Sequence, residues 1–258
     1  MKKVLMFTAL IACMIYGCTK GKKEPSQTGV YKMNKLTVSS GGKDSVYARA
    51  QIKIYTDKYF TYASMAPDSS VGFGVGTYKA DTGNSITETS IFSSLALDSP
   101  KTYHLLMTRK DSAYSQVIPR TSGNTKYNLK EDYIQVPTTD STRLDGVWKL
   151  DKAYYVKGKD TTKATEEQYK TFWRGYFMFI HRYPLDAANT KFKNGFGYGN
   201  FSLKTDTLSE TEQLTSHSTL MGRSFAIKLA FNGDDEYSQI IKDPKTGDQS
   251  VEIYRRLK

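Results

Sequence analysis

Gly29-Val30-Tyr31-Lys32-Met33-Asn34-Lys35 and Gly146-Val147-Trp148-Lys149-Leu150-Asp151-Lys152 are two versions of one stretch, set 117 residues apart. Tyr114-Ser115-Gln116-Val117-Ile118 returns as Tyr237-Ser238-Gln239-Ile240-Ile241, 123 residues later. Gly72-Phe73-Gly74-Val75-Gly76-Thr77-Tyr78 returns at the same offset of 123 as Gly195-Phe196-Gly197-Tyr198-Gly199-Asn200-Phe201. Three echoes in one order, with a single six-residue slip, mark a tandem duplication. The unit is about 115 residues, long enough to bury a core of its own, so function is to be sought copy by copy.

Within each copy the period is two. Gln51-Ile52-Lys53-Ile54-Tyr55 alternates polar and apolar residues as a half-buried strand does. Lys58 to Met65, Lys101 to Arg109 and Ala113 to Ile118 carry the Tyr, Phe, Thr and Val content of strands, and Gly175 to Arg182, Ser224 to Phe231 and Glu236 to Ile241 answer them. Asn232-Gly233 is a type I′ hairpin signal. Strands at such spacing point to an antiparallel barrel or sandwich. One short helix is expected after the first strand of the second copy, over Thr161 to Lys170, where Ala164, Glu166, Glu167 and Gln168 favour it and Thr162 or Thr165 would cap it. The matching stretch Ser39 to Ser45 is turn-like, and that difference is expected to account for the slip.

The glycines at 72, 74 and 76, and at 195, 197 and 199, lack the spacing of a phosphate-binding loop. In a strand they share one face, where missing side chains permit bending or close backbone approach, as barrel closure requires.

Lys2 and Lys3 precede an apolar run from Val4 to Tyr16, followed by Gly17-Cys18. This reads as a secretory leader, too short to span a bilayer. A small residue before Cys resembles the lipobox of bacterial lipoproteins, which implies cleavage after Gly17 and acylation of Cys18. The expected organisation is a leader over 1–17, the lipidated Cys18 and a tether over 18–28, a first barrel over 29–137, a linker over 138–145 and a second barrel over 146–258. The other cysteine, Cys13, leaves with the leader, so the mature domains hold no disulfide and no free thiolate. Thr19 after the lipidated Cys resembles the sorting rule for the outer membrane. The lack of an acidic run in Thr19 to Glu24 suggests a periplasm-facing protein.

The formal charge of +11 becomes +9 without Lys2 and Lys3. Nucleic acid is not expected as a partner, because no recognition motif is present. Lys20, Lys22 and Lys23 beside the anchor would add attraction to anionic lipid.

The opening Gly-Val-Trp-Lys-Leu strand, the glycine strand ending in Tyr or Phe, and the closing Glu252-x-Tyr254-Arg255 strand resemble the lipocalin-like domains of Bacteroidetes lipoproteins. The resemblance covers about Gly29 to Val136 and Gly146 to Leu257. The first copy departs from it with Tyr31 in the Trp position and a closing stretch, Glu131 to Val136, without basic residues. The resemblance implies two tandem lipocalin-like antiparallel β-barrels, all-β, with an internal cavity and no settled activity.

No catalytic constellation is visible. The three histidines, His104, His181 and His217, have no metal-ligand spacing, and neither H-E-x-x-H nor G-x-S-x-G occurs. Asp234, Asp235 and Glu236 read as solvated turn residues. No enzyme, cofactor or metal is expected. The positive signal is aromatic, with 19 Tyr and 12 Phe. Barrel packing explains many of these rings, but a ring-lined mouth would also suit an amphipathic ligand. In the second copy the candidate lining residues are Trp173, Arg174, Phe177, Phe179, His181, Phe196, Tyr198 and Arg223, with Arg174, His181 and Arg223 as polar anchors; Arg49 is taken as the first copy's counterpart of Arg174. Two functions stay open. One is a membrane-anchored protein binding a small apolar or amphipathic ligand. The other is an interaction module with filled barrels that meets another envelope protein.

Overall fold

The computed structural model describes residues 27–81, 84–95, 99–186, 191–242 and 246–258. The expected leader, Cys18 and most of the tether lie outside them. The first copy forms nine strands: β1 Gly29–Ser40, β2 Lys43–Tyr47, β3 Ala50–Tyr55, β4 Tyr59–Met65, β5 Val71–Ala80, β6 Ser85–Ser93, β7 Lys101–Lys110, β8 Ala113–Ser122 and β9 Thr125–Gln135. The second repeats them as β10 Gly146–Lys157, β11 Asp160–Lys163, β12 Glu167–Trp173, β13 Tyr176–Pro184, β14 Phe192–Lys204, β15 Thr207–Thr215, β16 Ser224–Phe231, β17 Glu236–Lys242 and β18 Gln249–Arg256.

Each set is an antiparallel meander that closes on itself, β1 pairing with β9 and β10 with β18. Closure pairs the first and last strands, leaving only the short β2 and β11 with a free edge among the described residues. β2 and β3 share one side of β1, as β11 and β12 share one side of β10, so each barrel has eight strands with a short extension at one end. Gly41 and Gly42, both at positive φ, make the two-residue turn of the first extension. β1 and β10 carry a register shift at corresponding places, Met33/Lys35 and Leu150/Lys152.

The expected helix at Thr161 to Lys170 does not form. Asp160–Lys163 pairs with Tyr154–Lys157 as β11, and Glu167 opens β12. Gln168, Lys170 and Phe172 must all enter the barrel, which only a period of two allows, and that requirement overrides the helix preference of Ala164 to Gln168. The slip therefore lies elsewhere. Tyr62 and Phe179 are still 117 residues apart, whereas their cross-strand partners Gly74 and Gly197 are 123 apart. The six extra residues sit in the β13–β14 hairpin.

The two barrels pack through their outer faces. Ile52, Ile54, Ala63, Phe73, Val75 and Phe92 of the first share one buried cluster with Tyr169, Met178, Ile180, Phe196 and Tyr198 of the second. The Phe92 and Tyr169 rings lie 5.1 Å apart, and Thr61 Oγ1 meets Thr171 Oγ1 at 2.6 Å. Asn194 Nδ2 donates to the Ser94 carbonyl (2.9 Å) and Tyr59 Oη to that of Lys258 (2.6 Å). β4 faces β13 and β5 faces β14, so the same strands of each copy meet, as in a two-fold homodimer. The barrels are thus expected to unfold in one calorimetric transition. Ala63→Arg, which places a charge at a fully buried point of this contact, should cost several kcal/mol and split that transition in two. Two transitions in the unmodified protein would contradict the coupling.

Candidate functional site

The alternation of β3 is inverted relative to a simple half-buried strand. Ile52 and Ile54 point outward into the contact between barrels, while Gln51, Lys53 and Tyr55 point into the barrel, and both faces are buried. A buried ammonium must be neutralised. Lys53 Nζ sits 2.6 Å from Glu88 Oε1 and donates to Gln116 Oε1 at 3.3 Å. Gln116 Nε2 donates to Glu131 Oε2 (2.6 Å), which also accepts from Tyr133 Oη (2.8 Å). Tyr55 Oη donates to Glu88 (2.5 Å), and Gln51 hydrogen-bonds to Tyr133.

The second barrel repeats this chain of contacts. Lys170 Nζ bridges Glu210 Oε1 at 3.3 Å and Gln239 Oε1 at 3.4 Å. Gln239 Nε2 donates to Glu252 Oε2 at 2.8 Å, which accepts from Tyr254 Oη at 2.5 Å, and Gln168 hydrogen-bonds to Tyr254. Burial and the adjacent carboxylates push the Tyr133 and Tyr254 hydroxyls well above the usual phenol range, so they remain donors at every physiological pH.

Above each network lies a cavity. The first is about 290 Å³, walled by Phe60, Tyr62, Tyr103 and Leu105 and rimmed by Arg49 and Arg120. The second is about 330 Å³, walled by Phe179, Phe225, Ile227 and Leu220 over a floor of Lys170, Glu210, Glu212, Gln239 and Glu252. The glycine strand supplies the room. A Cβ on Gly74 would lie 2.7 Å from the Tyr62 ring, and one on Gly197 would enter the Phe179 ring and come within 2.7 Å of Glu212 Oε2. At Gly76 and Gly199, where β5 and β14 shift register, a Cβ would collide with the carbonyl oxygens of Thr89 and Thr211.

The copies differ where side chains meet this strand. Ser64 and Ser90 in the first barrel stand where the second has His181 and Glu212, judged by their pairing with the glycines. His181 Nε2 lies 3.0 Å from His217 Nε2, so one ring donates and the other accepts, and His181 Nδ1 is 3.7 Å from Glu166 Oε2. Burial first, then His181, lowers the His217 pKa. Burial and the neighbouring Glu210 push Glu212 up to about 8 against the opposing pull of Lys170.

The structure separates the residues singled out from sequence. Phe179 and His181 line the second cavity. Phe177 packs deeper in the barrel beside Phe172. Phe196 and Tyr198 project from the opposite face of the glycine strand into the contact between barrels. Trp173 borders a groove between the barrels, with the Arg174 guanidinium 5.7 Å from its ring. Arg174 occupies the β12–β13 turn at positive φ, donating its backbone N–H to Asp145. Arg223 is exposed outside the cavity lining, its carbonyl accepting from the Glu212 N–H. Arg49 lines the first cavity, and the turn residue that matches Arg174 is Asp57. Sequence reasoning missed the lysine–glutamate–glutamine chain. Its signal was the repeat of Gln51-x-Lys53 as Gln168-x-Lys170 and of Glu131-x-Tyr133 as Glu252-x-Tyr254.

Two closed eight-stranded up-and-down barrels, each holding a cavity on its axis, are lipocalin-like architecture. The chain folds as two tandem lipocalin-like barrels. No protein-family model matches it, and no curated protein matches it significantly. Among solved structures it is similar to a lipocalin-like protein from Bacteroides uniformis, at 19% identity and a TM-score of 0.30, over 45% of this chain and 100% of that one. It is also similar to an uncharacterized protein from Bacteroides eggerthii, at 16% identity and a TM-score of 0.29, over 44% and 99%. A DUF3598 protein of unknown function from Nostoc punctiforme matches at 10% identity and a TM-score of 0.29, over 90% and 96%.

Among the described residues, Lys170 is the ammonium on the floor of the second barrel's cavity. Lys170→Met should cost about 3–5 kcal/mol by leaving Glu210 buried without its partner. Adding Glu210→Gln should recover most of that loss in urea denaturation; full additivity of the two changes would show that the pair is not coupled.

Proposed function

We propose that the protein is a non-enzymatic lipoprotein of the outer membrane, tethered through Cys18 on the periplasmic side, whose barrels hold a small amphipathic ligand. The observation that carries this reading is the cavity on each barrel axis, about 290 and 330 Å³, at the small end of the range for ligand sites. Apolar walls above a polar floor suit a molecule with one polar end. Barrels filled by their own side chains, serving only as a scaffold for an envelope partner, would need no such space. Among the described residues, no arrangement of nucleophile and base asks for a reaction.

Native mass spectrometry of the mature chain, purified from the periplasm with Cys18 replaced, tests the binding reading. Extra mass lost on denaturation is expected; bare mass after exposure to a lipid extract of the source cells would favour the scaffold. For the tether, Cys18→Ala should move the protein from the membrane fraction to the soluble periplasm, and persistence in the membrane would refute acylation.

A further inference from the structure

We infer that the cavity of the second barrel takes an amphipathic cation, an alkyl- or arylammonium whose charge is received by the carboxylate of Glu212. This rests on the ligand-binding reading and specifies it for one barrel.

The argument begins with charge. The first cavity sets one buried lysine, Lys53, against two buried glutamates, Glu88 and Glu131. The second sets one buried lysine, Lys170, against three, Glu210, Glu212 and Glu252. The additional carboxylate is Glu212, standing where the first barrel has Ser90.

The other two acids are satisfied. Glu210 holds Lys170, and Glu252 accepts from Gln239, Tyr254 and Ser250. Glu212 is 3% exposed, and its Oε2 has no hydrogen-bond partner. Such a group costs free energy unless it is protonated or meets a cation.

The other ionisable groups facing the cavity do not supply that cation. The Lys170 ammonium is held by Glu210 and Gln239. His181 and His217 face each other through their Nε2 atoms, Glu166 lies beside His181, and neither imidazole is hydrogen-bonded to Glu212 Oε2. When Glu212 ionises, the positive charge that balances it has to come from outside. The walls describe its carrier: Phe179 presents a ring beside Glu212 for cation–π contact, and Phe225, Ile227 and Leu220 receive an apolar tail.

Without ligand, the raised pKa of Glu212 leaves its carboxyl mostly protonated at neutral pH. An entering ammonium keeps its own protons, and the Glu212 carboxyl releases one to solvent as the ion pair forms. Affinity should therefore rise about tenfold per pH unit below pH 8 and level off above it.

The test is calorimetric titration of the purified full-length mature protein with octylamine, octanol and octanoate, in buffers of different ionisation enthalpy. Octylamine should bind at least tenfold more tightly than octanol at pH 8. It should release close to one proton at pH 6.5 and almost none at pH 9. Glu212→Gln, which preserves shape, should erase both the proton release and the preference for octylamine over octanol. Octanol or octanoate binding as tightly as octylamine, or a Glu212→Gln variant that keeps the preference, would overturn the cation assignment and leave the ligand-binding reading intact. Failure of all three to bind would overturn both.

Discussion

An ammonium sealed inside a closed barrel constrains everything around it. Lys53 and Lys170 sit near the centre of their barrels, and each requires a carboxylate from the strand across the interior, Glu88 or Glu210. That carboxylate fixes the register of β6 or β15, because a slip of one residue would turn it outward. The glutamine that shares the lysine, Gln116 or Gln239, extends the constraint to β8 or β17, and the next glutamate extends it to β9 or β18. One connected set of hydrogen bonds thus reaches strands that are far apart in sequence. Such a network adds little net stability over an apolar core, but any other arrangement leaves a charge unpaired. Its presence in both copies fits a role in specifying a single closure.

Part of the apolar contribution has moved to the outside. The residues that would form the core of an isolated sheet, Ile52, Ile54, Phe73 and Val75, lie between the barrels against Met178, Ile180, Phe196 and Tyr198. Aromatic packing inside each barrel gathers around Tyr31, Tyr55, Tyr114 and Tyr133 in the first and Trp148, Phe172, Tyr237 and Tyr254 in the second. The outer contact brings equivalent strands together, the geometry expected if a two-fold dimer of single barrels had been joined by a linker.

Much of this was legible in the sequence. The duplication, the strand period and the structural use of the glycines follow from residues alone, because each depends on local spacing. The helix expected at Thr161 to Lys170 failed because side-chain propensity is weak beside the need of Gln168 and Lys170 to enter the barrel. The inversion of β3 and β12 was not legible, since alternation says that two faces differ but not which one is inside. The usual assumption, apolar inward, breaks down when a second domain covers the outer face. The same assumption placed Phe196 and Tyr198 with Phe177, Phe179 and His181, although the first two leave β14 on the face opposite its glycines. What could have shown the site was the duplication itself: buried polar residues repeated at matching positions in two copies that otherwise diverge.

That divergence has a physical basis. The network is closed, so changing one member strands another, and both copies retain it. The cavity above it is bounded by three alternate glycines of β5 or β14, so neighbouring positions can change without collision. Ser64 and Ser90 in one copy and His181 and Glu212 in the other occupy that free space. The glycines at 195 and 197 admit the larger pair, since a Cβ at either position would strike His181 or Phe179 and Glu212. Duplication then permits one barrel to keep a nearly balanced interior while the other carries an unpaired carboxylate. The polar floor sets the fold of both barrels, and the side chains over the glycine strand set what each can hold.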